Sequence, residues 1–494
     1  MSLNEPTFLF LFLPVLLLLY HAIPRWWAGG PGLRNAVLLL ASVVFYFWGG
    51  KQFIGVLIGA VLFNYLAALA IERCHDTPDA RRLLRLGVGA NLAVLVAFKY
   101  WRFIAANIAG LLGASQVVAT STPAEPPLLI PLGLSFFTFS AIGYLVDVYG
   151  KKVPAERSLW RTSLYLLLFP KIVAGPITRY QELSGQLADR PVTRGLFASG
   201  VQRFIIGLAK KTIIASAVGL PADRIFALPT TQLTPSLAWL GLVCYAIQIY
   251  FDFSGYTDMA IGAGRMFGFN LPENFNYPYV ADSIRDFWRR WHISLSSWLR
   301  DYLYVPLGGN RVAPWRAYFN LVTVFVLCGL WHGASWSYIV WGLYFGVFLV
   351  LERLGLDDAL QKAPRPVRHF YTLAVVFTSW VLFRADTLGD AIGYLGALAG
   401  LSGGVGVTDG VGVYIDTMLV LALVAGVVGS MPFVPALIAW RDRRIAAARE
   451  TGRPAAAFEA AWAAAGVLLL AGLLFAAQML VAANTYSPFI YRQF

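Results

Sequence analysis

The chain has 494 residues, of which 58% are hydrophobic and 13% charged, and its mean hydropathy is +0.64. Soluble domains carry about 25% charged residues, so an ordinary soluble enzyme, a disordered chain and a nucleic-acid-binding module are excluded. The net charge of +13 reads as basic loops facing anionic lipid on the cytoplasmic side, not as a polyanion site.

At ~20 residues per crossing the apolar runs predict an all-α polytopic membrane protein with about 11–13 transmembrane helices, plus re-entrant or amphipathic ones. The runs are 7–23, 33–50, 53–71, 86–108, 128–149, 237–261, 317–351, 370–400, 411–440 and 459–484. The first has no basic n-region and no small-x-small cleavage site after it, so it reads as a retained helix, not a removed signal peptide. Run 317–351 is too long for one crossing and carries Gly333-Ala334-Ser335, which suggests a hairpin or a broken helix. Runs 162–176 and 204–220 are short or interrupted by Lys210-Lys211, and read as re-entrant or interfacial. Gly55-x-x-x-Gly59 would let two helices approach closely. Stretches 111–127 and 400–413 read as external loops.

Arginine and lysine alternate between loops. Arg25 and Arg34, then Arg73, Arg81, Arg82 and Arg85, then Lys151, Lys152, Arg157 and Arg161 mark one side, while 109–127 has no Lys or Arg. This pattern places both termini outside the cytoplasm. Lys51, Lys99 and Arg102 violate it mildly. Cys74, Cys244 and Cys328 have no metal-ligand or paired spacing, so neither a structural disulfide nor a metal site is expected.

Segment 262–316 breaks the apolar pattern. As a helix from about residue 283, with Asp282 at the N-cap, it would align Arg285, Trp288, Arg289, His292, Leu295, Ser296 and Leu299 on one face. Such a helix could lie passively on the inner leaflet, or carry arginines to an anionic ligand and place His292 beside a reactive centre. His332 lies within the longest apolar stretch, where an ionisable group is costly and marks a candidate site; a neutral core histidine is the alternative. Asp147, Asp252 and Asp258 could relay protons or pair with Arg and Lys. Walker A and His-Glu-x-x-His patterns are absent from the sequence, which argues against ATP-driven transport. Ser254 in Asp252-Phe-Ser-Gly has no Gly-x-Ser-x-Gly context, so an elbow-type serine nucleophile is not indicated there.

Residues 285–304, Arg-Asp-Phe-Trp-Arg-Arg-Trp-His-Ile-Ser-Leu-Ser-Ser-Trp-Leu-Arg-Asp-Tyr-Leu-Tyr, carry a more specific signal. With them go Pro306-Leu-Gly-Gly-Asn310, Leu330-Trp-His-Gly-Ala-Ser-Trp336, the stretches starting at Pro131 and Pro170, and Ser487-Pro-Phe-Ile-Tyr491. In these the chain resembles the membrane-bound O-acyltransferase (MBOAT) superfamily, in its alginate O-acetyltransferase (AlgI-like) branch. The resemblance implies one membrane domain over 1–494: N-terminal helices 1–160, a catalytic core 161–352 and C-terminal helices 353–494, forming a helical bundle around a funnel or tunnel.

It also implies an enzyme of the bacterial inner membrane that O-acetylates an exported cell-envelope polysaccharide. His332 matches the family's catalytic histidine and His292 its second signature position. No bound cofactor is implied; acetyl-CoA or another acyl thioester is the donor substrate. Arg285, Arg289, Arg290 and Trp331 are candidates for holding that donor, the arginines through its phosphates. An imidazole, with its ordinary pKa near ~6.5, suits general-base removal of a hydroxyl proton, and His292 would orient the donor or stabilise the oxyanion. The implied partners are membrane lipids, the polysaccharide acceptor and a periplasmic SGNH-type (AlgJ- or AlgX-like) acetyltransferase; nucleic acid is not among them. The competing readings are a secondary transporter or polysaccharide flippase, a non-catalytic scaffold, and peptidoglycan O-acetylation within the same family. Teichoic-acid D-alanylation fits less well, because the chain is longer than those proteins.

Overall fold

The computed structural model describes residues 1–24, 29–113, 130–401, 410–450 and 455–483. Among them every regular element is helical. Six stretches are long and apolar enough to cross a membrane: Gly30–Arg73, Pro78–Leu111, Arg194–Phe226, Pro235–Met266, Trp336–Lys362 and Ala456–Ala482. Thr417–Gly429 and Phe433–Glu450, bent by 61°, make a seventh if they form one span.

Hydropathy alone suggests about 11–13 crossings, and the difference is one of segmentation. Apolar sequence also builds helices shorter than a crossing, namely Phe8–Ala22, Leu134–Tyr149 and Leu388–Leu398. Gly30–Arg73, at 44 residues, is about twice the length one crossing needs, and its two helices meet at the 3-10 turn Lys51–Phe53. Most of the two expected external loops and the Ser487–Tyr491 ending lie outside the described residues.

Helix Pro235–Met266 is the axis of the bundle, with 26 of its 32 residues buried. A helix that is apolar all round belongs in an interior. Its neighbour is the continuous run Arg194–Phe226, which corrects the expectation of a re-entrant 204–220 segment. Lys210 and Lys211 do not break that run because their charges are met across the interface. Lys210 pairs with Asp258 at 2.7 Å, Lys211 pairs with Asp252, and Arg203 binds Asp258 at 2.7 Å.

The two helices touch backbone to backbone through four glycines. A Cβ on Gly207 would sit 2.6 Å from the Gly255 carbonyl, and one on Gly262 would sit 2.6 Å from that of Gly200. The close approach expected at Gly55 and Gly59 does not occur, since neither would place a Cβ within 4 Å of any atom. Gly59 instead lines an apolar cavity of about 310 Å³ beside Tyr46, Asn91 and Leu134. The glycine spacing was present at 55–59, but the facing helix surface that would use it is elsewhere.

Run 317–351 is a hairpin. Helix Pro314–His332 ends at Gly333, whose backbone is extended, and helix Trp336–Leu351 returns from Ser335. The arms are in contact at glycines: a Cβ on Gly329 would lie 2.1 Å from the Tyr338 carbonyl, and one on Gly342 2.2 Å from that of Phe325. These pairings run antiparallel and bring His332 to the tip of the hairpin.

Candidate active site

Segment 283–299 is not one helix. Ser283, not Asp282, is the N-cap, its hydroxyl accepting the Asp286 N–H at 3.1 Å; Asp282 instead pairs with Arg368 at 3.3 Å. Helix Ile284–Arg290 stops, and Ile293–Leu299 begins after His292. His292 has φ 44° and ψ 54°, a left-handed conformation that costs a non-glycine residue about 1–2 kcal/mol. The backbone groups released by the break are taken up by 274–276: Ile293 N donates to Asn274 O and Asn276 N to Arg290 O, both at 2.9 Å. The first helix is anchored by the buried Glu352 carboxylate, which accepts the N–H groups of Ile284 (2.6 Å) and Arg285 (3.0 Å). An anionic group at a helix N-terminus satisfies orphan donors and meets the positive end of the dipole.

The break turns His292 inward, where it is fully buried. Asn274 Oδ1 accepts the Ser294 backbone N–H at 3.1 Å and the Ser294 hydroxyl at 2.9 Å, which identifies it as the amide oxygen. The His292 Nδ1 contact to the same oxygen, at 3.2 Å, is therefore an N–H donation, and Nε2 carries the ring's lone pair. Ser294 in turn accepts the Ile177 N–H at 3.0 Å, tying in the stretch that begins at Pro170.

His332 is buried at the hairpin tip. Its ring lies edge-on to Trp331, Trp341 and Phe383, with centroids 4.8, 5.1 and 5.1 Å away. Trp331 bridges the two histidines, being 6.1 Å from His292. Phe136 and Phe253 close the His292 side at 6.5 and 4.8 Å. The indole N–H groups of Trp288, Trp331 and Trp341 and the Asn274 amide nitrogen are buried without an acceptor among the described residues. Buried donors without acceptors cost about 1–3 kcal/mol each and call for an explanation, such as a catalytic role.

A cavity of about 250 Å³ opens beside this centre. Its wall is apolar (Trp288, Leu295, Leu299, Leu321, Val324, Phe325, Leu349), it reaches Cys328, and Arg285, Arg300 and Arg353 line it. Cys328 precedes His332 by four residues on the same helix, one turn or about 6 Å. The cavity thus brings three arginines and an apolar wall to within one helical turn of His332, although neither histidine lines it.

Comparison with known proteins decides the family. A model of the MBOAT, membrane-bound O-acyltransferase family matches residues 154–383. The chain is 44% identical over 395 residues to a probable alginate O-acetylase AlgI of Azotobacter vinelandii, covering 78% of this chain and 76% of that one. The chain is a membrane-bound O-acyltransferase. It is also 37% identical over 436 residues to a peptidoglycan O-acetyltransferase of Helicobacter pylori (81% and 80% covered), and 29% identical over 335 residues to a teichoic acid D-alanyltransferase of Bacillus subtilis (63% and 84%). The acyltransferase is an O-acetyltransferase and a multi-pass membrane protein.

The structure brings His332, His292 and Trp331 of this acyltransferase together and separates the three arginines of 285–290. Arg285 lines the cavity and also pairs with Asp357 at 3.2 Å. Arg290 is held by Asp286 at 2.8 Å, and Arg289 is exposed outside the cavity wall. Five of the seven residues expected on one helical face, Arg285, Trp288, Leu295, Ser296 and Leu299, do line one cavity despite the break. Asn274, Arg300, Arg353 and Lys99, whose ammonium donates to the Trp331 carbonyl at 2.5 Å, were not foreseen at the site. Arg300 belongs to the basic segment 262–316 and Arg353 to the basic loop after the hairpin, so their convergence depends on how the hairpin packs. Asp147 is likewise structural: it accepts the Tyr302 hydroxyl at 2.7 Å and pairs with Lys152 at 3.2 Å.

Proposed function

We propose that this acyltransferase moves acetyl groups from a cytoplasmic thioester donor, most simply acetyl-CoA, to an acceptor on the far side of the inner membrane. The acceptor is a hydroxyl of an exported envelope polysaccharide or of a periplasmic SGNH-type partner that delivers the group to the polymer. The observation that carries this reading is the burial of His332 at the hairpin tip, one turn above a cavity lined by three arginines. The Arg285, Arg300 and Arg353 guanidiniums suit the phosphates of a CoA-type donor, and the apolar cavity suits its uncharged arm. His332 takes the proton of the acceptor hydroxyl as the oxygen attacks the thioester carbonyl, and the donor thiol leaves. The carbonyl oxygen gains charge in this step. Trp331 supplies an N–H for that charge, while His292, its Nδ1–H held by Asn274, presents a lone pair and not a donor and so serves to orient the donor substrate.

The relatives' names include alginate and peptidoglycan O-acetylation, so the polymer is found by genetics. Deleting the gene should remove the O-acetyl esters of one envelope polymer. Wild-type protein should restore them, and a normally accumulating His332→Ala variant should not. Restoration by that variant would sink the mechanism. The transporter reading has less support, because Asp147, Asp252 and Asp258 are all engaged in ion pairs.

A further inference from the structure

Lys99 is a mild violation of the charge pattern, placed inside the apolar run 86–108 with no evident role in the sequence. It is buried, and it lies in a five-residue π-helical turn, Val96–Tyr100, within the span Pro78–Leu111. Single π turns inside α-helices are frequent at functional sites. The turn presents two consecutive polar side chains to one target. Lys99 Nζ donates to the Trp331 carbonyl at 2.5 Å and to the His332 carbonyl at 3.4 Å, and the Tyr100 hydroxyl donates to the Leu330 carbonyl at 2.8 Å. The last three carbonyls of helix Pro314–His332 are therefore all met by one pair of neighbours more than two hundred residues away in sequence. Ser135, from the stretch that begins at Pro131, lies 3.5 Å from the same ammonium.

We infer that Lys99, assisted by Tyr100, is a positioning residue for the acyl-transfer centre, fixing the end of the histidine-bearing helix and thereby the His332 and Trp331 rings. The inference rests on the assignment of His332 as the base. The physical reasons are specific to this end of this helix. C-terminal carbonyls lack intrahelical partners and form the negative end of the helix dipole, where a cation is favoured. Gly333 follows in an extended conformation, so the helix does not continue to hold His332 from beyond. Ring packing by Trp341 and Phe383 fixes one end of the residue, and Lys99 fixes the other. A carbonyl stripped of this clamp would recruit water to the His332 end of the helix, where it could hydrolyse a thioester brought to the base. Lys99 thus both aims the base and keeps its surroundings dry, acting through the backbone carbonyls of Trp331 and His332.

The test uses full-length protein in proteoliposomes, comparing wild type with Lys99→Met, Lys99→Arg, Tyr100→Phe and His332→Ala, each normalised to folded protein. Displacement of a catalytic group by an ångström costs about a hundredfold in rate. Lys99→Met should therefore lower kcat for acetyl transfer by about ten- to a hundredfold while the KM for acetyl-CoA changes less than about twofold. Donor hydrolysis should rise relative to transfer. Lys99→Arg should retain more kcat than Lys99→Met, since it keeps a cation with N–H donors for the carbonyls. Tyr100→Phe removes a single hydroxyl and should show the same kcat effect in smaller measure; it remains informative if Lys99→Met does not fold. Wild-type kcat in both Lys99→Met and Tyr100→Phe, or losses that merely follow the folded fraction with no shift toward hydrolysis, would overturn the inference. Activity in His332→Ala would instead overturn the assignment of the base, so the two failures are distinguishable.

Discussion

Asn274 shows how one side chain can define the chemistry of another. Its amide oxygen accepts three hydrogen bonds, from His292 Nδ1, the Ser294 N–H and the Ser294 hydroxyl. Replacing it with Leu would strand those donors in the interior, at about 1–3 kcal/mol for each that finds no new acceptor. The expected outcome is a protein of reduced thermal stability whose transfer rate falls by at least about tenfold, because the imidazole loses its orientation. Thermal unfolding in detergent alongside acetyl-transfer kinetics checks this; unchanged kcat with reduced stability would leave Asn274 a purely structural residue. His332 stood out in the sequence because a titratable group is conspicuous among apolar neighbours, and His292 because it follows arginines in a segment that breaks the apolar pattern. Asn274 did not, because it sits in a polar loop, Pro272–Asn276, where an asparagine attracts no notice. Lys99 was visible but read only as a mild violation of the charge pattern, since only tertiary contact reveals that it faces the end of another helix.

At the scale of elements, the apolar runs predicted where helices lie better than where they stop. The hairpin at 317–351 was one of two expected forms, because a 35-residue run with a Gly-Ala-Ser interruption needs a turn. The break at His292 escaped pattern reading. Segment 283–299 keeps a helical period across it, and the left-handed turn is held by hydrogen bonds to 274–276 that no local pattern encodes. Glycine motifs misled in the same way. Gly55 and Gly59 face open space, whereas Gly207 and Gly262 touch a neighbouring backbone. Gly207→Ala should therefore cost about 1–3 kcal/mol or more through forced separation of two ion-paired helices, and Gly55→Ala should be neutral or slightly stabilising. Yields of monodisperse protein after detergent extraction measure the contrast. Equal loss in both would contradict the packing described.

At the scale of the whole molecule, composition told most of the story of environment and little of the site. A charged fraction of 13% demanded a bilayer, and the basic loops implied an orientation. Two of those loops lie against each other as a shared face requires: His75 contacts the Val148 carbonyl at 3.0 Å, Asp76 pairs with Lys151 at 2.6 Å, and Glu72 pairs with Arg157. In the proposed reaction, such a topology would let only the acetyl group pass between the faces.

The most direct test is vectorial transfer in proteoliposomes of uniform orientation. Labelled acetyl-CoA is confined to the face bearing Lys151, with an SGNH-type acceptor on the other. Labelled ester should appear on the acceptor while CoA stays on the donor side, and a folded His332→Ala variant should give none. Ester formation that requires donor and acceptor on the same face, or that survives the loss of His332, would contradict the account.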